Sequence, residues 1–126
     1  MKIKKILIAN RGEIALRVIK TCKEMGIKTV TLYTEEDKHL PHRYKSDESY
    51  SLGQGTLAET YLNQKKIIQI AKDSKADAIH PGYGFLSENT DFCKRVDESG
   101  IIFIGPSVDA IELMGDKKTS KDAMEK

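Results

Sequence analysis

The sequence predicts an α/β fold, in which an open parallel sheet of about five strands carries helices on both faces. Short, nearly continuous apolar runs alternate with longer segments whose apolar residues fall on one helical face. This alternation is typical of parallel sheets built from strand–helix–strand units. Several segments also end at glycine or proline, which interrupt strands and helices. With 126 residues, the chain is long enough to form one domain with a buried core.

The predicted elements alternate along most of the chain. The run Lys5–Ala9 is almost entirely apolar, as expected of a strand that is buried on both faces of a parallel sheet. A two-sided pattern follows, with Ile14, Val18 and Cys22 on one helical face, and Gly26 ends this helix. The strands are predicted at Lys5–Ala9, Thr29–Tyr33, Glu48–Leu52, Ala76–His80 and Ile101–Ile104. The helices are predicted at Gly12–Met25, Leu62–Ser74, Thr90–Glu98 and Val108–Met114, and residues 34–47 are expected to form a polar loop.

Composition argues against several classes of function. A net charge of +2 is too small to indicate binding to nucleic acid or to an anionic membrane surface. No apolar stretch is long enough to span a bilayer, and the apolar run after the charged start is too short for a signal peptide. Cys22 and Cys93 both fall on apolar helix faces, so we expect buried thiols in a reducing, cytoplasmic compartment and no metal pair.

The end of the chain departs from the alternating pattern. Residues 118–126 permit a helix, but Ala123 and Met124 are the only apolar residues among them. A helix without an apolar face usually packs against something else. We therefore expect residues 1–114 to form the domain and residues 115–126 to begin a second, truncated region. The alternative is a frayed terminus.

The stretch Ala78–Asn89 has the composition of a ligand-binding loop. Pro81 ends the preceding strand because it has no backbone N–H to donate. Gly82 and Gly84 flank Tyr83, which leaves the backbone bare on both sides of one aromatic ring. Open α/β sheets bind ligands in loops at the carboxyl ends of their strands. The alternative is a loop that only packs on the core, with Tyr83 as a lid residue.

The nucleotide-binding motifs of other α/β proteins are missing. The first strand–helix turn contains a single glycine, Gly12, so the G-x-G-x-x-G spacing of dinucleotide-binding folds is not present. Acidic residues at 35–37 do follow the second strand at about the distance of a ribose-binding carboxylate. No G-x-x-x-x-G-K-[ST] pattern occurs either. A dinucleotide site is therefore only weakly indicated.

The histidines form no complete metal or catalytic set. His39 and His42 have no third ligand nearby, so both are expected on a solvated loop. His80, at the end of a strand, is either a base or, more commonly for such a position, a core histidine bonded to backbone. No Ser-His-Asp or Cys-His arrangement can be argued from position alone.

Charged residues stand out at two further places. Lys117 lies between two predicted elements, where a lysine can reach a polyphosphate as a point charge. A charged stripe lies opposite the apolar face of the first helix and consists of Glu13, Arg17, Lys20 and Glu24. Such a stripe is usually a solvated helix face supported by pairs one turn apart. A polar subunit interface is the alternative.

Four longer blocks occur along the chain, namely Ile8–Ala15 (IANRGEIA), His80–Asn89 (HPGYGFLSEN), Phe103–Pro106 (FIGP) and Met114–Lys117 (MGDK). In this order and spacing they resemble the N-terminal domain of biotin carboxylase, the ATP-grasp component of acetyl-CoA, propionyl-CoA and pyruvate carboxylases. The resemblance covers essentially the whole chain, and the second block is long enough to be highly specific. It implies a Rossmann-like pre-ATP-grasp domain, which agrees with the sheet expected from the pattern.

The resemblance also implies a function and its partners. The family carboxylates biotin on a carrier protein, using ATP, bicarbonate and magnesium, and works with a carboxyltransferase component as a homodimer. The residues implied are Lys117 for ATP, Tyr83 and Gly84 beside the biotin ring, and Arg17, Lys20 and Glu24 at the dimer interface. The nucleotide cleft, the acidic metal ligands and the catalytic base of the family come from later parts of the enzyme. We therefore expect no catalytic or metal-binding residue in this chain, and Tyr83 should face solvent or be poorly ordered.

Two hypotheses of different classes remain open at this point. The first is the N-terminal domain of a biotin-dependent carboxylating enzyme, inactive on its own. The second is a stand-alone binding or dimerisation module that uses the charged stripe. A dinucleotide-dependent oxidoreductase is a distant third. The acyl-CoA or keto acid that finally accepts the carboxyl group belongs to the carboxyltransferase and is not encoded here.

Overall fold

A computed structural model describes residues 3–104 and shows one parallel sheet with helices on both faces, which confirms the predicted fold class. The strands are β1 at Lys5–Ile8, β2 at Lys28–Tyr33, β3 at Glu48–Ser51, β4 at Ala78–His80 and β5 at Ile102–Phe103. The helices are α1 at Gly12–Glu24, α2 at Pro41–Lys45, α3 at Gln64–Asp73 and α4 at Thr90–Glu98. The strand order is β3-β2-β1-β4-β5, and every neighbouring pair is parallel.

Two apolar layers hold the helices against opposite faces of the sheet. Along β1, Ile6 and Ile8 contribute to one layer and Leu7 to the other, as the alternation of side chains in a strand requires. The layer under α1 consists of Ile6, Ile8, Ala15, Ile19, Cys22 and Ala78. The larger layer, under α3 and α4, includes Leu7, Val30, Leu32, Ile67, Phe92 and Val96. Strand β1 is therefore buried on both faces, as its apolar run predicted.

Cys22 and Cys93 are free, buried thiols, one in each apolar layer. Burial raises the pKa of the Cys22 thiol, and it raises the pKa of Cys93 to about 11. Both sulfurs therefore stay protonated at neutral pH and behave as small core side chains, because the thiolate is the reactive form. Their predicted burial is confirmed.

The helices within residues 3–104 begin and end where local chemistry favours it. The Asn63 side chain accepts from the N–H of Lys66 at 3.1 Å, and this cap starts α3 two residues after the predicted Leu62. Asn89 caps α4 in the same way, accepting from Phe92 at 2.9 Å, and the predicted bounds of α4 are confirmed. None of the helices in this range has the length and apolar composition needed to cross a membrane. The predicted helix Val108–Met114 and the domain boundary after residue 114 lie outside the described residues.

Residues 34–47 are not simply a polar loop, because they contain the short helix α2. Pro41 lies in its first turn, where the missing backbone N–H has no helical partner to lose. The helix carries His42 into the protein, where the imidazole is fully buried. Its Nε2 lies 2.8 Å from the Leu32 carbonyl oxygen, and its Nδ1 accepts from the N–H of Gly12 at 3.3 Å. The prediction of a solvated loop is wrong for His42, whereas His39 is exposed as expected.

His42 gives the fold a pH dependence whose sign follows from its burial. Burial lowers the pKa of His42, and it also lowers that of His80. The unfolded chain therefore takes up protons first as pH falls below the ordinary histidine value of about 6.5. We expect the free energy of unfolding to fall with pH from that point, by at most about 1.4 kcal/mol per pH unit for each group.

Urea unfolding between about pH 7.5 and about pH 5.5 measures this dependence. His42→Gln should flatten it, because the variant removes one buried imidazole. His39→Gln removes an exposed imidazole and should leave the slope unchanged. Equal slopes for the unchanged chain and for His42→Gln would contradict the expectation.

Candidate functional site

Two loops meet where the order of the strands reverses. From β1 the chain goes to β2 on one side of the sheet, and it later returns to β4 on the other side of β1. In open parallel sheets, the crevice at the carboxyl ends of the strands at such a reversal is the usual ligand site. The loops that meet there are residues 9–11, after β1, and residues 81–89, after β4. The loop singled out by its composition therefore lies where this fold favours ligand binding.

Asn10 joins the two loops through its side-chain amide. Its Nδ2 donates to the carbonyl oxygen of Pro81 at 2.9 Å and to that of Tyr83 at 2.7 Å. Its Oδ1 accepts from the N–H of Arg11 at 2.8 Å. Asn10 is only 2% exposed, so its amide cannot hydrogen-bond to bulk water, and these bonds within the protein satisfy it instead. Sequence reasoning missed this residue, although a polar side chain directly after a fully buried strand is a detectable signal.

Gly82 and Gly84 are glycines for different reasons. Both have a φ of +69°, which side chains other than glycine rarely adopt. A Cβ on Gly82 would lie 2.7 Å from Ile14 and 2.8 Å from Asn10 Nδ2, so the packing inside the domain requires glycine there. A Cβ on Gly84 would meet no described atom within 4 Å. Gly84 therefore presents bare backbone to open space, as a close-fitting ligand would require.

Tyr83, between the two glycines, is the most exposed large hydrophobic residue among those described, at 78%. The expectation that it faces solvent is confirmed, and the alternative of a lid packed on this domain's own core does not describe it. Beside Tyr83, an apolar groove of about 560 Å³ runs along α1. Tyr83 and Arg17 both line this groove, together with Ile14, Val18 and Met25.

His80 has a structural role at the start of the loop. Its Nδ1 accepts from the N–H of Gly82 at 3.0 Å, which requires an unprotonated nitrogen at that position. Burial lowers the pKa of His80 and so favours the neutral ring that this bond needs. Of the two alternatives raised by its sequence position, the backbone-bonded histidine is the one observed.

The middle of the loop, at Phe85, is held by a second set of contacts. Phe85 stacks on Tyr61, with ring centroids 5.2 Å apart and planes 7° apart. The Tyr61 hydroxyl donates to Asp37 at 2.7 Å, and Arg11 donates to both oxygens of the same carboxylate, at 2.6 and 2.7 Å. Phe85 has a φ of +46°, a strained value for a side chain of its size. The stack therefore holds a backbone conformation that would otherwise be sparsely populated.

Asp37 is committed to this structure as a carboxylate. The Arg11 guanidinium, which forms two hydrogen bonds to it, lowers the pKa of Asp37, and the Tyr61 hydroxyl lowers it further. Burial and the Asp37 carboxylate raise the pKa of Tyr61, so the phenol stays a donor. Both Asp37 oxygens are thus occupied by side chains of this domain. The dinucleotide hypothesis therefore loses one of the three acidic residues, at 35–37, that could have bound a ribose.

The remaining predicted site residues lie on α1 or outside the described residues. Arg17, Lys20 and Glu24 are exposed on α1. Arg17 Nε lies 3.8 Å from Glu13 Oε1, a solvated pair that contributes little stability. Lys117 lies outside the described residues. Within residues 3–104, no three histidine, cysteine or acidic side chains come together in a way that could hold a metal ion.

Comparisons with known proteins find several carboxylases that are similar to this chain. Residues 2–111 match the family model described as biotin carboxylase, N-terminal domain. Biotin carboxylase 2 of Bacillus subtilis is 54% identical over 121 residues, which are 96% of this chain and 27% of that protein. The alpha subunit of the mitochondrial methylcrotonoyl-CoA carboxylase of Dictyostelium discoideum is 58% identical over 122 residues, covering 97% of this chain and 18% of that protein.

Solved structures of carboxylases are also similar to this chain, in fold and in sequence. The biotin carboxylase domain of a thermophilic 2-oxoglutarate carboxylase, bound to bicarbonate, has a TM-score of 0.90 and 51% identity, and the match covers 99% of this chain and 28% of that one. The multifunctional pyruvate carboxylase of Rhizobium etli has a TM-score of 0.88 and 48% identity, with 97% of this chain and 13% of that one covered. The chain thus spans less than a third of each relative named here.

Proposed function

The chain belongs to the family of biotin carboxylase N-terminal domains, and on this premise we propose that it is part of an enzyme that carboxylates biotin on a carrier protein. The reaction would use ATP, magnesium and bicarbonate and would be the first half-reaction of a biotin-dependent carboxylase. The family match over residues 2–111 and the carboxylase relatives support this proposal. One similar structure holds bicarbonate, and another, from the same 2-oxoglutarate carboxylase, holds ADP.

The observation that carries the proposal is the bare backbone at Gly84 beside the exposed ring of Tyr83. A flat, neutral ureido ring can approach a backbone that has no Cβ in the way, and an exposed aromatic ring offers it a contact surface. Apart from its two chain neighbours, no described residue comes within 4 Å of the position that a Cβ on Gly84 would take. We therefore assign Tyr83 and Gly84 to the biotin side of the site, and Lys117, outside the described residues, to ATP.

This domain would contribute shape and not the chemical steps. His80 is neutral and bonded to Gly82, and Asp37 is bonded to Arg11 and Tyr61, so neither is free to act as a base on a substrate. When bound, ATP and its magnesium would supply the activated phosphate, and residues from later parts of the enzyme would hold them. The 126-residue chain should accordingly be inactive alone.

The partners follow from the proposed reaction. A biotin carrier protein or domain must present the biotin, and a carboxyltransferase component must consume the carboxylated product. The free, buried Cys22 and Cys93 support a reducing, cytoplasmic location. The final acceptor depends on the carboxyltransferase, so fatty acid biosynthesis is one of several pathways open to such an enzyme. The alternative of a stand-alone binding module is no better supported, since no comparison favours it.

We further propose a homodimer formed through the charged stripe of α1. Lys20 and Glu24 are exposed, lie one helical turn apart and carry opposite charges. Across a two-fold axis, Lys20 of one copy can face Glu24 of the other, and the reverse contact then forms by symmetry. Arg17 extends the same exposed surface towards the groove that Tyr83 lines.

A chimera tests the proposed activity. In Bacillus subtilis biotin carboxylase 2, which is 54% identical to this chain, the matching N-terminal segment is replaced by this chain. We expect the chimera to release phosphate from ATP in a manner that depends on free biotin and bicarbonate, because the family's later segments supply the missing groups. The 126-residue chain alone should release none. Biotin-dependent phosphate release by the chain alone, or an inactive but folded chimera, would contradict the proposal.

Gly84→Ala in this chimera tests the biotin contact. The added methyl group should raise the KM for free biotin at least about tenfold and leave the KM for ATP nearly unchanged, since it blocks only the biotin side. Gly100→Ala is the matched control, because Gly100 also has a positive φ, of +78°, and open space around its missing Cβ. Both variants carry similar backbone strain. Equal KM values for biotin in the two variants would rule out the assigned contact.

Charge reversal tests the dimer by sedimentation velocity of the chimera. Lys20→Glu should shift the population towards monomer, because it creates two like-charge contacts in each dimer. Combining it with Glu24→Lys should restore the dimer, since the charges are then simply exchanged. Lys65→Glu, on the exposed side of α3, controls for the change in net charge. A dimer that is insensitive to Lys20→Glu would exclude the stripe.

A further inference from the structure

We propose that Asn10 is a positioning residue for biotin, which acts by fixing the orientation of the peptide plane between Tyr83 and Gly84. This inference rests on the proposed function, because it concerns how the Gly84 backbone is presented to the ring. It adds a residue that lies behind the loop and does not touch the ligand.

The two carbonyl oxygens that Asn10 binds belong to two different peptide planes. Pro81 O, at 2.9 Å from Nδ2, lies in the plane that also contains the N–H of Gly82, and His80 accepts from that N–H at 3.0 Å. This first plane is therefore held at both ends. Tyr83 O, at 2.7 Å, lies in the plane that contains the N–H of Gly84. Asn10 is the described residue that holds this second plane from the protein side.

Holding Tyr83 O inward turns the N–H of Gly84 outward. No peptide bond among the described residues is cis, and in a trans peptide the C=O and N–H point in opposite directions. Because Tyr83 O faces the buried Asn10 amide, the N–H of Gly84 faces away from the domain. Within residues 3–104 this N–H donates to no protein group. It is an open donor on bare backbone, suited to an acceptor such as the carbonyl oxygen of a ureido ring.

The Asn10 amide has only one orientation that satisfies its neighbours. Its Oδ1 accepts from the N–H of Arg11, and Arg11 is itself anchored to Asp37 by two hydrogen bonds. A flipped amide would place Oδ1 against two carbonyl oxygens and an NH₂ group against an N–H donor. A Cβ on Gly82 would lie 2.8 Å from Asn10 Nδ2. Because glycine has no Cβ, the loop can pack directly against the Asn10 amide.

Asn10→Asp tests the inference, because it keeps the shape and removes both donors. In the chimera described above, we expect the KM for free biotin to rise at least about tenfold while the KM for ATP stays within about twofold. Asn63→Ala is the control, since it removes the cap of α3 and destabilises the protein away from the loop. A biotin KM that moves no more than in Asn63→Ala, or KM values for biotin and ATP that rise together, would overturn the inference.

A second readout does not depend on activity. In a ¹H–¹⁵N spectrum of the 126-residue chain, Asn10→Asp should move or broaden the amide signals of Gly82 and Gly84 and leave those of α3 in place. Unchanged Gly82 and Gly84 signals would overturn the role of Asn10 even if the chimera proved inactive. An inactive chimera with the expected spectral change would instead contradict the proposed function and leave Asn10 as the residue that orients the loop.

Discussion

The hydrogen bonds of the Asn10 amide continue the β1–β4 ladder past the point where backbone alone can form it. The last ladder bond runs from the N–H of Ala9 to the carbonyl oxygen of His80 at 2.9 Å. Gly82, the next residue after β4 that could donate towards β1, gives its N–H to His80 Nδ1, so the backbone ladder has no further donor there. The Asn10 side chain supplies that donor twice, and its burial makes the bonds costly to break. The loop after β4 is thereby built onto the centre of the sheet.

A second anchor restrains the middle of the same loop. Arg11, directly after Asn10, binds Asp37, and Asp37 accepts from the Tyr61 hydroxyl. The Tyr61 ring in turn stacks on Phe85, which holds a left-handed φ. One turn after β1 therefore holds the loop at two places, its start through Asn10 and its middle, at Phe85, through Arg11. Loops held in this way lose little conformational entropy on binding, which favours affinity.

The sequence predicted what depends on local pattern and missed what depends on neighbours in space. The run Lys5–Ala9 predicted a doubly buried strand because both apolar layers use it. Helix α2 was missed because it is short and polar, so its sequence shows no helical spacing of apolar residues. The burial of His42 could not be predicted because it depends on the carbonyl oxygen of Leu32, in β2. Gly82 and Gly84 could not be told apart in the sequence, because Asn10 and Ile14 pack against Gly82 alone, and both are distant in sequence. Lys117 lies outside the described residues, so its assignment rests on the family pattern alone.

The pattern of satisfied and open groups explains why this domain would act by position. Two titratable side chains at the carboxyl edge are paired inside the domain, with His80 bonded to Gly82 and Asp37 bonded to Arg11. Around Gly84, the groups that stay open are the exposed ring of Tyr83 and a backbone N–H. Such groups can orient a neutral ring by surface contact and by a hydrogen bond. Under the proposed function, changes around Gly84 should therefore alter how tightly biotin is held.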